Sequence, residues 1–176
     1  MLKVGVVGLG WWGGELALAL EKLPGRAEIV AAASREPAAS QAFAARFGGR
    51  ACAALDDVLG RPEVEAVVLA TPHSQHAVQV SAAAAAAKHV FVEKPFTLTR
   101  DSAAGAARAC AEADVVLAVG HNRRFSAGAR AIASMLEADA LGTVLHVEAH
   151  FSTDSATGYR GATWRRAARS PRSACT

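Results

Sequence analysis

A chain of 176 residues with 52% apolar side chains is long enough for one domain of ordinary size with a buried core. Five of its 19 basic residues (Arg160, Arg165, Arg166, Arg169 and Arg172) follow Tyr159 with no acid among them, so residues 1–159 carry 14 basic and 16 acidic groups, net −2. The formal charge of +3 therefore belongs to the tail and argues against nucleic-acid binding, while three widely spaced cysteines, Cys52, Cys110 and Cys175, argue against a disulfide framework or a metal site.

The apolar residues after Lys3 are soon broken by glycines, and the alanine run Ala82–Ala87 ends at Lys88 and His89. Neither reaches the length of a signal sequence core or a membrane span, so a cytoplasmic protein with no membrane partner is expected. Lys3–Gly14, KVGVVGLGWWGG, reads as a strand (Val4–Val7), the turn Gly8-Leu9-Gly10-Trp11-Trp12-Gly13, and a helix from Glu15 onward. Its spacing is G-x-G-x-x-G. Gly8 allows a tight turn, Gly10 a close approach of backbone to ligand, and Gly13 close packing of helix on strand, with the first-turn N–H groups facing a pyrophosphate. Dinucleotide binding is the expectation; a plain packing turn is the alternative.

Pro24-Gly25 breaks the first helix, and Glu28–Ala33 reads as a second strand. In a dinucleotide fold the end of that strand meets the adenosine ribose, where an acidic residue binds the 2′-hydroxyl. Here stand Ser34 and Arg35, a hydroxyl and a guanidinium that suit a 2′-phosphate, which favours NADP over NAD unless the pair is only a solvated turn beside Glu36. Pro37 opens a helix to Phe47 that Gly48-Gly49 ends. A short strand over Arg50–Ala53, a short helix over Asp57–Leu59 and the apolar strand Val64–Ala70 follow. After the turn Thr71-Pro72-His73-Ser74-Gln75-His76, where Ser74 is placed to cap, come a helix to Ala87, a strand His89–Val92, a helix Thr99–Ala113 and a strand Val115–Val119. This alternation predicts a doubly wound parallel sheet of the Rossmann type with ligands at the carboxyl ends of its strands. In Glu93-Lys94-Pro95, a lysine at the end of a buried strand is expected to be partly buried and able to exchange a proton with a substrate hydroxyl; an exposed turn with an ion pair is the plainer reading.

Together GLGWWG, ATPHSQH, FVEKPFTLT and VGHNRRF resemble the Gfo/Idh/MocA family of NAD(P)-dependent oxidoreductases over about residues 2–165. The resemblance implies hydride transfer between the nicotinamide and a sugar, cyclitol or related polyol. It implies that Lys94 orients the reacting hydroxyl and assists its proton transfer. Gly8, Leu9, Gly10, Trp11, Trp12 and Gly13 would form the pyrophosphate turn and Ser34 and Arg35 the ribose site. Thr71, Pro72, His73, His76, Glu93, Lys94 and Pro95 would lie along the cofactor, and Trp164 and Arg165 would match a pair reaching back to it. His121, Asn122, Arg123 and Arg124, with Lys94, would face the substrate.

Helix Ala129–Ala140 and an alternating strand Thr143–Thr153 read as the start of an incomplete α+β antiparallel-sheet domain, through which family members oligomerise. The expected division is 1–122 for the cofactor domain, 123–165 for this beginning and 166–176 for an irregular basic tail. The switch to Arg, Ala, Ser and Pro after Trp164 suggests a truncated or frameshifted chain, with a natural tail as the alternative. Three readings follow: an oxidoreductase cofactor half of weak or absent activity, a regulatory NADP(H)-binding module, or an inactive fragment.

Overall fold

The computed structural model describes residues 1–150. Six strands and five α-helices alternate through Gly120: β1 (Leu2–Val7), α1 (Trp11–Glu21), β2 (Ala27–Ala33), α2 (Pro37–Phe47), β3 (Arg50–Cys52), α3 (Leu55–Leu59), β4 (Ala66–Leu69), α4 (His76–Ala85), β5 (His89–Val92), α5 (Arg100–Glu112) and β6 (Leu117–Val119). All pair in parallel in the order β3-β2-β1-β4-β5-β6. The chain thus winds outward from β1 in one direction and from β4 in the other, and the doubly wound sheet expected from the alternation is present.

Alternation along the strands, shifted by one residue in β2 where the register with β1 skips Val30, divides the core between the faces. Val4, Val6, Ile29, Ala32 and Val68 pack with Ala17 of α1 and Phe43 of α2. Val7, Ala31, Ala33, Val67 and Leu69 pack with Val58 of α3, Val80 of α4 and Cys110 of α5. β4 is buried at all four residues because it is covered on both faces, and each Val or Leu so enclosed is worth about 1.5–3 kcal/mol. No helix among the described residues is long and apolar enough to cross a membrane.

Several element ends differ from expectation. α1 starts at Trp11 instead of Glu15, with Gly10 extended as its N-cap, so the glycine motif itself forms the first turn. Ser74 does not cap α4; it lies inside a single 3-10 turn, His73–Gln75, and the helix begins at His76 without a side-chain cap. α4 ends at Ala85, two residues early, before Ala87 adopts φ +54°. β6 begins at Leu117, after the left-handed Asp114 has turned the chain out of α5. Capping by Thr99 is reciprocal: its hydroxyl accepts from the Ser102 N–H at 3.2 Å, and the Ser102 hydroxyl accepts from the Thr99 N–H at 3.2 Å.

A second unit begins at His121. It contains a 3-10 turn, Asn122–Phe125, and α6 (Ala127–Glu137), which starts ahead of the expected Ala129 because the Ser126 hydroxyl accepts from the Ala129 N–H. The strand expected from Thr143 is not formed over residues 143–150. Alternation supplies an apolar row but no ladder, and these residues pair with no other strand among those described. Leu145 and Val147 are exposed there, and His146 and His150 both approach the Glu148 carboxylate, at 3.4 and 3.7 Å. The remainder of the expected strand and the tail lie outside the described residues.

Candidate functional site

Strand register decides where the site lies. Val7 pairs with both Ala33 and Leu69, Ala33 with Cys52, Leu69 with Val92, and Val92 with Val119. The strands therefore end in one row, and the turns that start at Gly8, Ser34, Ala53, Ala70, Glu93 and Gly120 leave the same edge. Ligands of such sheets bind at this edge, where winding reverses between β1 and β4.

The three motif glycines meet different surroundings. Gly8 has φ +94°, and a Cβ there would stand 2.5 Å from the Ala70 carbonyl carbon and 2.7 Å from the Thr71 nitrogen, so only glycine lets β1 turn against the chain leaving β4. A Cβ on Gly13 would run into the Gly8 carbonyl oxygen. At Gly10 a Cβ would meet nothing within 4 Å, so its backbone faces open space. The helical ladder opens with the Gly14 N–H on the Gly10 carbonyl at 3.0 Å, leaving the N–H groups before it at the helix mouth.

In front of this turn is a cavity of 410 Å³. Of the residues singled out from the sequence, it gathers Gly8, Leu9, Gly10, Ser34, Arg35, Thr71 and Pro72. Ser34 is fixed on both sides: its N–H donates to the hydroxyl of Ser40, which is 1% exposed, and its own hydroxyl accepts from the Glu36 N–H at 3.3 Å. Arg35 beside it is exposed and is the cavity's cation.

Sequence reasoning missed part of the wall. Ala53, Ala54 and Leu55 close one end, and Gln75, at the end of the 3-10 turn, and Gln79, on α4, also line it. The Thr71 hydroxyl donates to Gln79 Oε1 at 2.5 Å, and Gln79 Nε2 donates to Gln75 Oε1 at 3.1 Å. The available signal was the spacing of two glutamines one helical turn apart beyond a strand-end threonine.

Other singled-out residues stand apart from this cavity. Trp11 is 78% exposed, and Trp12 lies 5.3 Å from it, ring centre to ring centre, with a buried indole N–H that has no partner among the described residues. His73 is half-buried. His76 is fully buried, each ring nitrogen 2.9 Å from a backbone carbonyl oxygen, of Pro95 and of Thr71. Glu93 is also buried; its carboxylate accepts from the Lys94 N–H at 3.1 Å and fits only because residue 120 is glycine, where a Cβ would come within 2.5 Å of Oε1. Lys94, expected to be partly buried, is exposed: Glu93 takes the inward position past Val92, and the next side chain points out. The Lys94–Pro95 peptide is cis. His121, Asn122, Arg123 and Arg124 are exposed in the second unit, and Trp164 and Arg165 lie outside the described residues. Among the described residues, no group of three His, Cys, Asp or Glu could hold a metal ion.

A glycine turn opening a helix at the switch point of a parallel sheet, with a cavity in front, defines a dinucleotide-binding domain. The family model described as an oxidoreductase family with an NAD-binding Rossmann fold matches residues 2–121, and the chain belongs to that family, Gfo/Idh/MocA. An uncharacterized oxidoreductase of Streptococcus pneumoniae is 34% identical over 83% of this chain and 39% of its own length. The WlbA dehydrogenase of Bordetella pertussis, solved with NADH and UDP-GlcNAcA, superposes with a TM-score of 0.77 at 32% identity over 80% of this chain and 41% of that one. KijD10, a 3-ketoreductase of Actinomadura kijaniata solved with NADP and TDP-benzene, superposes with a TM-score of 0.72 at 30% identity over 78% of this chain and 42% of that one. The chain thus spans about two fifths of the length of these relatives. The residues present fit NAD or NADP, because the open space at Gly10 is what a pyrophosphate needs to reach the first turn of α1.

Proposed function

We propose that this chain supplies the cofactor half of an NAD(P)-dependent oxidoreductase acting on the CH–OH group of a sugar, cyclitol or related polyol, in the cytoplasm. The open backbone at Gly10, where Gly8 and Gly13 are sterically confined, carries this reading. Bound nicotinamide would supply or accept the hydride. Gly8, Gly10 and Gly13, with the backbone of Leu9, Trp11 and Trp12, hold the pyrophosphate, and Ser34 and Arg35 hold the adenosine ribose, with the guanidinium favouring a 2′-phosphate. Thr71, Pro72 and His73 border the cofactor. Lys94, one strand over, exchanges the proton of the reacting hydroxyl, with its turn held by Glu93 and Pro95. His121, Asn122, Arg123 and Arg124 face the substrate, and Trp164 and Arg165 reach the cofactor. The UDP-GlcNAcA bound in the WlbA structure supports a polar small-molecule substrate, and the family's sheet domain supports self-assembly as the mode of oligomerisation.

Calorimetric titration of the whole chain with NADPH and NADH tests the cofactor half. Saturable binding of both, tighter for NADPH, is expected, together with its loss in Gly10→Val, whose branched side chain fills the open space while circular dichroism stays unchanged. Failure of a folded chain to bind either dinucleotide overturns the reading.

A further inference from the structure

His76 opens α4 with 1% of its surface exposed, between two acceptors: Nδ1 is 2.9 Å from the Pro95 carbonyl oxygen and Nε2 is 2.9 Å from the Thr71 carbonyl oxygen. Carbonyl oxygens only accept. A neutral imidazole has one N–H and one lone pair, so it can donate to one of these carbonyls and sets lone pair against lone pair at the other; the imidazolium, with two N–H groups, donates to both. The joined segments are neighbours on the strand-end edge, since Leu69 of β4 pairs with Val92 of β5. Thr71 belongs to the cavity wall, and Pro95 directly follows Lys94.

We propose that His76 is a positioning residue for Lys94: its protonated ring clamps the turn after β5 to the turn after β4, and loss of one ring proton releases one of the two. The role assigned to the clamp rests on reading Lys94 as the proton-handling group. β4 carries no ionisable side chain, and Arg100, Asp101, Arg108 and Glu112 of α5 are exposed, as is Lys94. His73, in the turn before α4, is half-buried. Among the described residues the one buried carboxyl group is that of Glu93, two positions before Pro95 in the turn the ring holds.

The test is an NMR titration of the whole isotope-labelled chain, without cofactor, from about pH 8 to about pH 5, the range in which histidine rings change charge. Below the transition both His76 ring nitrogens are expected to carry slowly exchanging protons, and above it only one. The Phe96 amide, in the same peptide group as the Pro95 carbonyl, and the Lys94 side-chain carbon next to the ammonium are expected to shift with the same midpoint. His76→Gln, whose NH2 group keeps a donor at this place, is expected to retain one sharp Lys94 signal, and His76→Leu to lose it. A ring that stays a single neutral tautomer throughout, or Phe96 and Lys94 signals that ignore its titration, overturns the proposal. The wild-type titration decides even where His76→Leu does not fold. No dinucleotide takes part, so this result and the outcome of the calorimetric test stand or fall separately.

Discussion

Neighbouring glycines at the mouth of α1 give opposite expectations at the residue scale. Alanine is favoured over glycine in a helix by about 1 kcal/mol. At Gly14 a Cβ meets nothing within 4 Å, so Gly14→Ala is expected to stabilise the chain by roughly 0.5–1 kcal/mol in urea unfolding. At Gly13 the same methyl strikes the Gly8 carbonyl oxygen, and forcing atoms into a packed turn costs about 1–3 kcal/mol, which outweighs the propensity gain. Gly13→Ala is therefore expected to lower the unfolding midpoint; equal effects at the two positions would refute the packing argument. The buried thiols set a second expectation. Burial pushes Cys110 up, and it pushes Cys52 up against the opposing influence of Arg61 and Arg50. The folded chain then holds these protons after the unfolded chain has lost them. The resulting stability is present in full below the unfolded thiol value of about 8.5 and is lost as pH rises through the higher folded values. Melting temperature is expected to fall above about pH 8.5, and less steeply in Cys110→Ala. The glycine motif and the Ser34-Arg35 pair were legible because each needs only local spacing. The partners of His76 were not: Pro95 lies 19 positions away, and only the β4–β5 register brings its carbonyl to the ring.

Elements were legible where two signals coincided. Pro37 at the start and Gly48 at the end fix α2, and His89–Val92 is bounded by the lysine before it and the Glu93 turn after it. They were misread where one signal stood alone. Ser74 has the right chemistry for a cap, but Pro72 and the 3-10 turn that follows place it one step inside the bend. The alternation after Thr143 matches a strand, yet a strand is a property of pairs and the sequence shows only one member. Thr99 is the opposite case, a cap whose reciprocal bonds with Ser102 are both made. Thr99→Ala is expected to destabilise by about 1 kcal/mol through loss of that cap, while Ser74→Ala, which removes no capping bond, is expected to change little. Thermal denaturation of the two variants side by side measures the difference.

For the whole molecule the telling fact is that the compact boundary after Gly120 falls one residue from the end of the family match at residue 121. Both core clusters and every residue lining the cavity belong to the first unit, the cavity between Val7 and Gln79. If those residues alone hold the dinucleotide, a chain of residues 1–120 is expected to unfold in a single transition and to bind NADPH as tightly as the whole chain does. The sequence resemblance makes a competing demand, since it assigns Trp164 and Arg165 to the cofactor. A contact of even 1.4 kcal/mol from that pair amounts to about a tenfold change in Kd. Calorimetry on the two chains in the same buffer decides between them: equal affinities place the cofactor site wholly in the first unit, and a tenfold loss in the shorter chain assigns part of it to residues beyond Gly120.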